Sequence, residues 1–254
     1  MGTALRSIAL ITERNVRGSW RTPQYLLVKV VLQPVLFLLL FVYVFGGAIQ
    51  VPGASYVDFL LPGILVQTAM FGGLNTGIAL TQDLRSGLMD RFWSLPMSRF
   101  SLVIARVLTD TLLVAVGIAI MLVVGVLVGF RFHGDLPATV AAIVITVVFA
   151  FATAWIGAAI GVAGRTPMIV QGVGVLIVFP LTFASSTFVP VATMPSWLHA
   201  FAERTPITVT VDSVRNLVLG LPLGGEINAM SIWIVAILAV SVGIASFFYR
   251  RLMA

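Results

Sequence analysis

The sequence predicts an all-α integral membrane protein with six transmembrane helices, and three observations carry that prediction. Hydrophobic residues make up 59% of the 254-residue chain and charged residues only 9%, against about a quarter charged in ordinary soluble domains. The apolar residues gather into six runs, each long enough for the helix of about 20 residues that crosses a hydrocarbon core about 30 Å thick. The basic residues flank these runs, as the positive-inside rule asks of a membrane protein. The same composition excludes disorder, which needs low hydrophobicity and high net charge. With no cysteine in the chain, disulfides, thiolate nucleophiles and cysteine metal sites are excluded as well.

Residues 1–23 precede the first span. Leu5, Ile8, Ala9, Val16 and Trp20 share one helical face while Arg6, Arg14 and Arg17 cluster on another. That is the pattern of an interfacial amphipathic helix with its arginines toward anionic headgroups; a basic topology anchor with no other role is slightly favoured by the sequence alone. No long apolar stretch of a signal peptide precedes the first span, and Thr22-Pro23 ends the helix. The six spans fall at 25–49, 59–80, 107–130, 136–164, 166–186 and 227–249, with Gln33-Pro34 expected to kink the first. Six spans put both termini on one side. That side carries Arg6, Arg14, Arg17, Arg21, Lys29, Arg85, Arg91, Arg99, Arg106, Arg165, Arg250 and Arg251; the other carries Arg131, Arg204 and Arg215. The imbalance predicts a multi-pass protein of the cytoplasmic membrane with both termini in the cytoplasm.

Two connections are informative. In the cytoplasmic loop, Asp83 is expected to cap a short helix over 83–96 that ends near Pro96. Leu84, Leu88, Phe92 and Leu95 fall within about 80° on its wheel. Such a helix either rests on the membrane or docks as a knob in the groove of a soluble partner, and periodicity leaves both open. In the outer segment, 187–226, prolines 190, 195 and 206 (with Pro180 just before it) forbid one continuous helix. Pro195 opens a short helix through Trp197, Leu198 and Phe201. Thr205 and Pro206 read as N-cap and first residue of another, striped with Ile207, Val211, Val214 and Val218 and stopped by Gly220. Two short helices that do not span predict a re-entrant or interfacial hairpin.

No catalytic, cofactor or metal residue stands out. GxxxxGK[ST], HExxH and GxSxG are all missing from the sequence. His133 and His199 read as plain loop residues, and Asp58 and Asp110, at span ends, as caps or arginine partners. Almost no ionisable group falls inside the predicted spans, where an ion-driven carrier would hold its coupling site. The mild polar residues there (Gln33, Gln67, Thr68, Asn75, Thr146, Thr153 and Gln171) are expected mostly to hydrogen-bond between helices. Glycine pairs Gly73–Gly77, Gly125–Gly129 and Gly157–Gly161 predict close helix contacts.

DLRSGLMDRFWSLPMSR at 83–99 followed by ARVLTD at 105–110, FVPVATMPSWLHAFAERTPITVTVDSVRNLVLG at 188–220 and YVDFLLPGILVQTAMF at 56–71 resemble the ABC-2 type transporter permeases, closest to the daunorubicin-resistance type of actinobacteria. Trp93 departs from the small or polar residue of that pattern. The resemblance covers essentially the whole chain and implies the membrane half of an ATP-driven exporter, not itself an enzyme. Two permease chains, identical or related, would pair, each engaging a separate ATPase subunit that holds ATP and magnesium; this chain itself would bind no cofactor. The 83–96 helix would be the coupling helix, with Leu84, Gly87, Leu88, Asp90, Arg91, Phe92, Leu95 and Pro96 at the ATPase. The outer hairpin would close the outer end of the pathway. A lining of Phe37, Phe41, Phe71, Asn75, Gln171 and Phe183 would suit an amphiphilic small molecule (a drug or antibiotic) or a lipid. An ATPase-independent secondary carrier or channel is the alternative.

Overall fold

The longest helix shows how local sequence sets the architecture. Ser55 caps it by accepting a hydrogen bond from the Asp58 amide, and donates its own hydroxyl to the Asp58 carboxylate at 2.6 Å. From there the chain runs helically from Tyr56 to Arg85, with most of its positions buried on all sides. A helix apolar all round is a core helix. In the computed structural model, which describes residues 2–20, 27–49, 51, 55–86, 100–164 and 166–253, several other helices pack around this one.

In chain order the α-helices are α1 (Gly2–Trp20), α2 (Gln33–Leu40), α3 (Tyr56–Arg85), α4 (Ser101–Val128), α5 (Leu136–Gly164), α6 (Pro167–Phe183), α7 (Ser196–Ala202), α8 (Pro206–Leu219) and α9 (Glu226–Met253). Wide π-helical turns, Leu27–Leu32 and Phe41–Phe45, run into and out of α2. Among the described residues, four helices (α3, α4, α5 and α9) are long and apolar enough to cross a membrane, and Gln33–Phe45 and Pro167–Phe183 are shorter apolar helices. α5 lies along α3, α9 covers α5, and α1 lies on α4.

The α3–α5 contact is backbone on backbone. A Cβ at Gly157 would stand 1.7 Å from the Gly73 carbonyl oxygen, and one at Gly161 would stand 2.6 Å from that of Gly77. Thr153 donates to the Ala69 carbonyl at 2.9 Å and Thr81 to that of Gly161 at 3.0 Å. Small residues let the helices approach, and the threonines tie them together. Two of the three glycine pairs named above therefore form one seam. The third divides: Gly125 meets the Leu61 side chain, but Gly129 has φ +117° and ends α4.

Several boundaries differ from the sequence expectation, each for a physical reason. α3 runs unbroken to Arg85, so Asp83 begins no new helix; Leu84 packs beside Leu80 and Trp155. α4 begins at Ser101, because Arg106 and Asp110 pair one turn apart and can ride on the helix as a neutral unit. Pro34 sits at the start of α2 just after a π turn, whose wider ring accommodates the missing N–H. The outer segment agrees closely. Pro195 precedes α7, Thr205 caps α8 through the Thr208 amide, and Gly220 closes it at φ +66°.

Candidate functional site

A cleft of about 570 Å³ opens between α2, α3, α4 and α6, with Ser19 of α1 at one edge. One stripe of α3 forms its floor: Gln67, Phe71, Asn75, Ile78 and Gln82, spaced four, four, three and four residues apart. At 1.5 Å per residue this stripe runs about 22 Å. Gln33 and Phe37 face it from α2, Gln171, Val175 and Phe179 from α6, and Arg106, Asp110 and Val114 from α4. A volume of this size suits a drug-sized ligand.

The two ends of the cleft differ in chemistry. At one end Arg106 donates through Nε to Asp110 at 2.9 Å and through Nη1 to Asp83 of α3 at 3.3 Å. Towards the other the rings form a ladder. Phe71 meets Phe179 edge-on at 5.6 Å, Phe179 stacks with Phe183 at 5.7 Å, and Phe183 with Phe188 at 5.1 Å. Phe188 stacks on Phe41 at 4.3 Å, and Phe41 on Phe37 at 6.3 Å. Offset stacked and edge-on pairs at these spacings are attractive.

Phe188 is held in the ladder by its backbone. The Tyr56 hydroxyl donates to the Phe188 carbonyl at 3.2 Å, and a Cβ at Gly63 would stand 2.3 Å from the Thr187 carbonyl oxygen. The buried Arg215 of α8 completes the latch. Its Nε and Nη2 both donate to the Phe59 carbonyl (3.1 and 3.0 Å), Nη2 also to that of Ser186 (2.8 Å), and Nη1 to Asp212 (2.6 Å). Its guanidinium lies 3.8 Å over the Phe59 ring. Pro62 sits inside α3, and its missing N–H removes the helical bond to the carbonyl of Asp58, the neighbour of Phe59. Burial lowers Arg215 to about 10, partly offset by Asp212, so it remains a cation at physiological pH.

Of the six residues expected along a pathway, Phe37, Phe71, Asn75 and Gln171 line the cleft. Phe41 and Phe183 do not; both stack on Phe188. Of the eight expected at a partner, Leu84 is half-buried against the cluster that contains Leu80 and Trp155; Gly87, Leu88, Asp90, Arg91, Phe92, Leu95 and Pro96 lie outside the described residues. The helix-to-helix hydrogen bonds expected of the polar span residues narrow to Thr153: Thr146 and Thr68 bond within their own helices, and Gln33, Gln67, Asn75 and Gln171 line the cleft. Sequence reasoning missed Gln82, Arg106, Asp110, Phe179 and Phe188. The amide-and-aromatic stripe of α3 was a findable signal, since its spacing is helical. Asp110 has the arginine partner expected of it: it pairs with Arg106, and both side chains line the cleft.

Long apolar helices around an elongated cleft are those of an integral membrane protein. The chain belongs to the ABC-2 type transporter family, whose model matches residues 6–219. It is 36% identical over 76% of its length to a daunorubicin-resistance ABC transporter permease of Streptomyces coeruleorubidus, covering 69% of that protein. It is 26% identical over 95% of its length to a probable doxorubicin-resistance permease of Mycobacterium tuberculosis, covering 88% of it. A putative transport permease of Cyanophora paradoxa is 31% identical over 75% of this chain and 67% of its own. This is a membrane subunit of the ABC transporter type.

Proposed function

We propose that this chain is the permease of an ATP-driven exporter that moves amphiphilic small molecules or lipids outward across the cytoplasmic membrane. The observation that carries the reading is the cleft: amides along its floor, rings towards one end and an ion pair at the other suit a cargo with both polar and apolar parts. Energy arrives from outside the chain. Two copies, or one copy and a relative, form the membrane unit with two ATPase subunits holding ATP and magnesium. Gly87, Leu88, Asp90, Arg91, Phe92, Leu95 and Pro96 contact the ATPase, both termini are cytoplasmic, and the hairpin of α7 and α8 closes the outer end. ATP binding draws the soluble subunits together and shifts the bundle between two arrangements.

Capture of the partner tests this. The tagged chain, solubilised from native membranes in mild detergent, should bring down a soluble ATPase. Phe92→Asp and Leu88→Asp, which put a charge in the apolar knob, should insert normally yet lose it. Transport persisting with no ATPase captured would instead favour the ion-driven carrier.

A further inference from the structure

Residues 86–100 link α3 to α4, and the two ends of this link are anchored by different physics. At its far end Phe100 stacks on Trp155 at 5.9 Å and meets Tyr249 edge-on at 5.6 Å. Those contacts are apolar and fixed in the cluster that also contains Leu80 and Val103. At its near end, three residues before the link begins, Asp83 is tied across to α4 by Arg106 at 3.3 Å.

Arg106 also serves Asp110, at 2.9 Å and one turn along its own helix. The three side chains are 21%, 26% and 10% exposed for Arg106, Asp83 and Asp110. Screening is weaker there than at a surface, and one guanidinium is shared by two carboxylates. Arg106 and Asp110 line the cleft, as does Gln82, the neighbour of Asp83. The guanidinium thus faces the cleft and the end of α3 at once. Arg14 of α1 adds its positive field at Asp83.

We propose that Arg106 is a positioning residue whose partition between Asp110 and Asp83 reports the state of the cleft to the end of α3. It rests on the reading of the cleft as the cargo path. A cargo cation or hydrogen-bond donor that pairs Asp110 releases Arg106 to Asp83 and tightens the near end of the link. A cargo anion or acceptor that takes Arg106 loosens it. Phe100, just before α4, sits on apolar contacts with Trp155 and Tyr249 that respond to neither.

The test needs neither cargo nor ATPase. The chain has no cysteine, so Ser86→Cys in the full-length protein carries a nitroxide at one site, and its rotational mobility is read by electron paramagnetic resonance in lipid nanodiscs. Asp83→Asn should raise the mobility and Asp110→Asn lower it, each by about twofold in correlation time. Asp83→Glu should return it to the parent value, and Asp110→Asn should have no effect once Asp83 is Asn, because contacting residues couple non-additively. A merely structural role would make both single variants more mobile. That result, no response, or additive responses would overturn the proposal. Failure to capture an ATPase would sink the exporter reading and leave this measurement intact.

Discussion

Arg215 is the residue on which the hairpin end of the bundle depends. It is 7% exposed, with one carboxylate and two carbonyls in reach. Removing one member of a buried pair leaves the others unsatisfied, at a cost of about 3–5 kcal/mol. Arg215→Met should therefore lower the thermal unfolding midpoint of the purified protein strongly. Arg215→Lys should restore little, since an ammonium cannot fork to the Phe59 and Ser186 carbonyls and still reach Asp212. Asp212 is the softer partner, its side chain being 37% exposed. A small loss for Asp212→Asn, beside a large one for Arg215→Met, would show that the carbonyl contacts hold the latch. None of this was legible in the sequence, where Arg215 counted only as one of three cations on the poorer side. Its partners lie 156 and 29 residues away, beyond the reach of any periodic pattern.

At the scale of elements, the α3–α5 seam was half legible. Glycines four apart announce a close approach but name no partner. Only the fold shows that Gly73 and Gly77 meet Gly157 and Gly161, while Gly129 serves as a left-handed cap. Gly157→Ala forces its new methyl against the Gly73 carbonyl, and overpacking of this kind costs about 1–3 kcal/mol. Gly172→Ala, where a Cβ meets nothing within 4 Å, should leave stability unchanged or slightly higher. Equal unfolding midpoints for the two variants would contradict the seam. The caps were fully legible, because capping is local: Thr205, Pro206 and Gly220 perform the roles their order in the chain dictates. Boundaries set by charge were not. The helix that carries the third expected span begins earlier, at Ser101, and an arginine and an aspartate one turn apart neutralise each other on it.

For the whole molecule, composition alone gave the class, and the spacing of apolar runs gave the order of the helices. Orientation follows from arginine placement and is open to direct measurement. Leu221 and Ser86 are both exposed; Ser86 follows the end of α3, and Leu221 follows α8, whose Arg215 reaches the Phe59 carbonyl near the start of α3. An impermeant maleimide added to intact spheroplasts should label a Leu221→Cys variant and spare Ser86→Cys until the membrane is opened. The reverse pattern would invert the topology and with it the direction of transport. The cleft itself was legible only in part. Phe37, Phe71, Asn75 and Gln171 were drawn from four separate places in the chain, and which further side chains join them depends on how α2 and α6 turn their faces to α3.

The wide turns flanking α2 bear on how that face is set. A π turn closes its hydrogen-bonded ring over one residue more than an α turn. Each stretch beside α2 therefore stores surplus chain within an unbroken helix. Expelling one surplus residue would wind the segment beyond it by about 100° and advance it about 1.5 Å. Gln33 and Phe37 would then swing off the cleft together, while the helix kept its axis and its backbone stayed bonded. The second helix is built like a screw with slack in its thread.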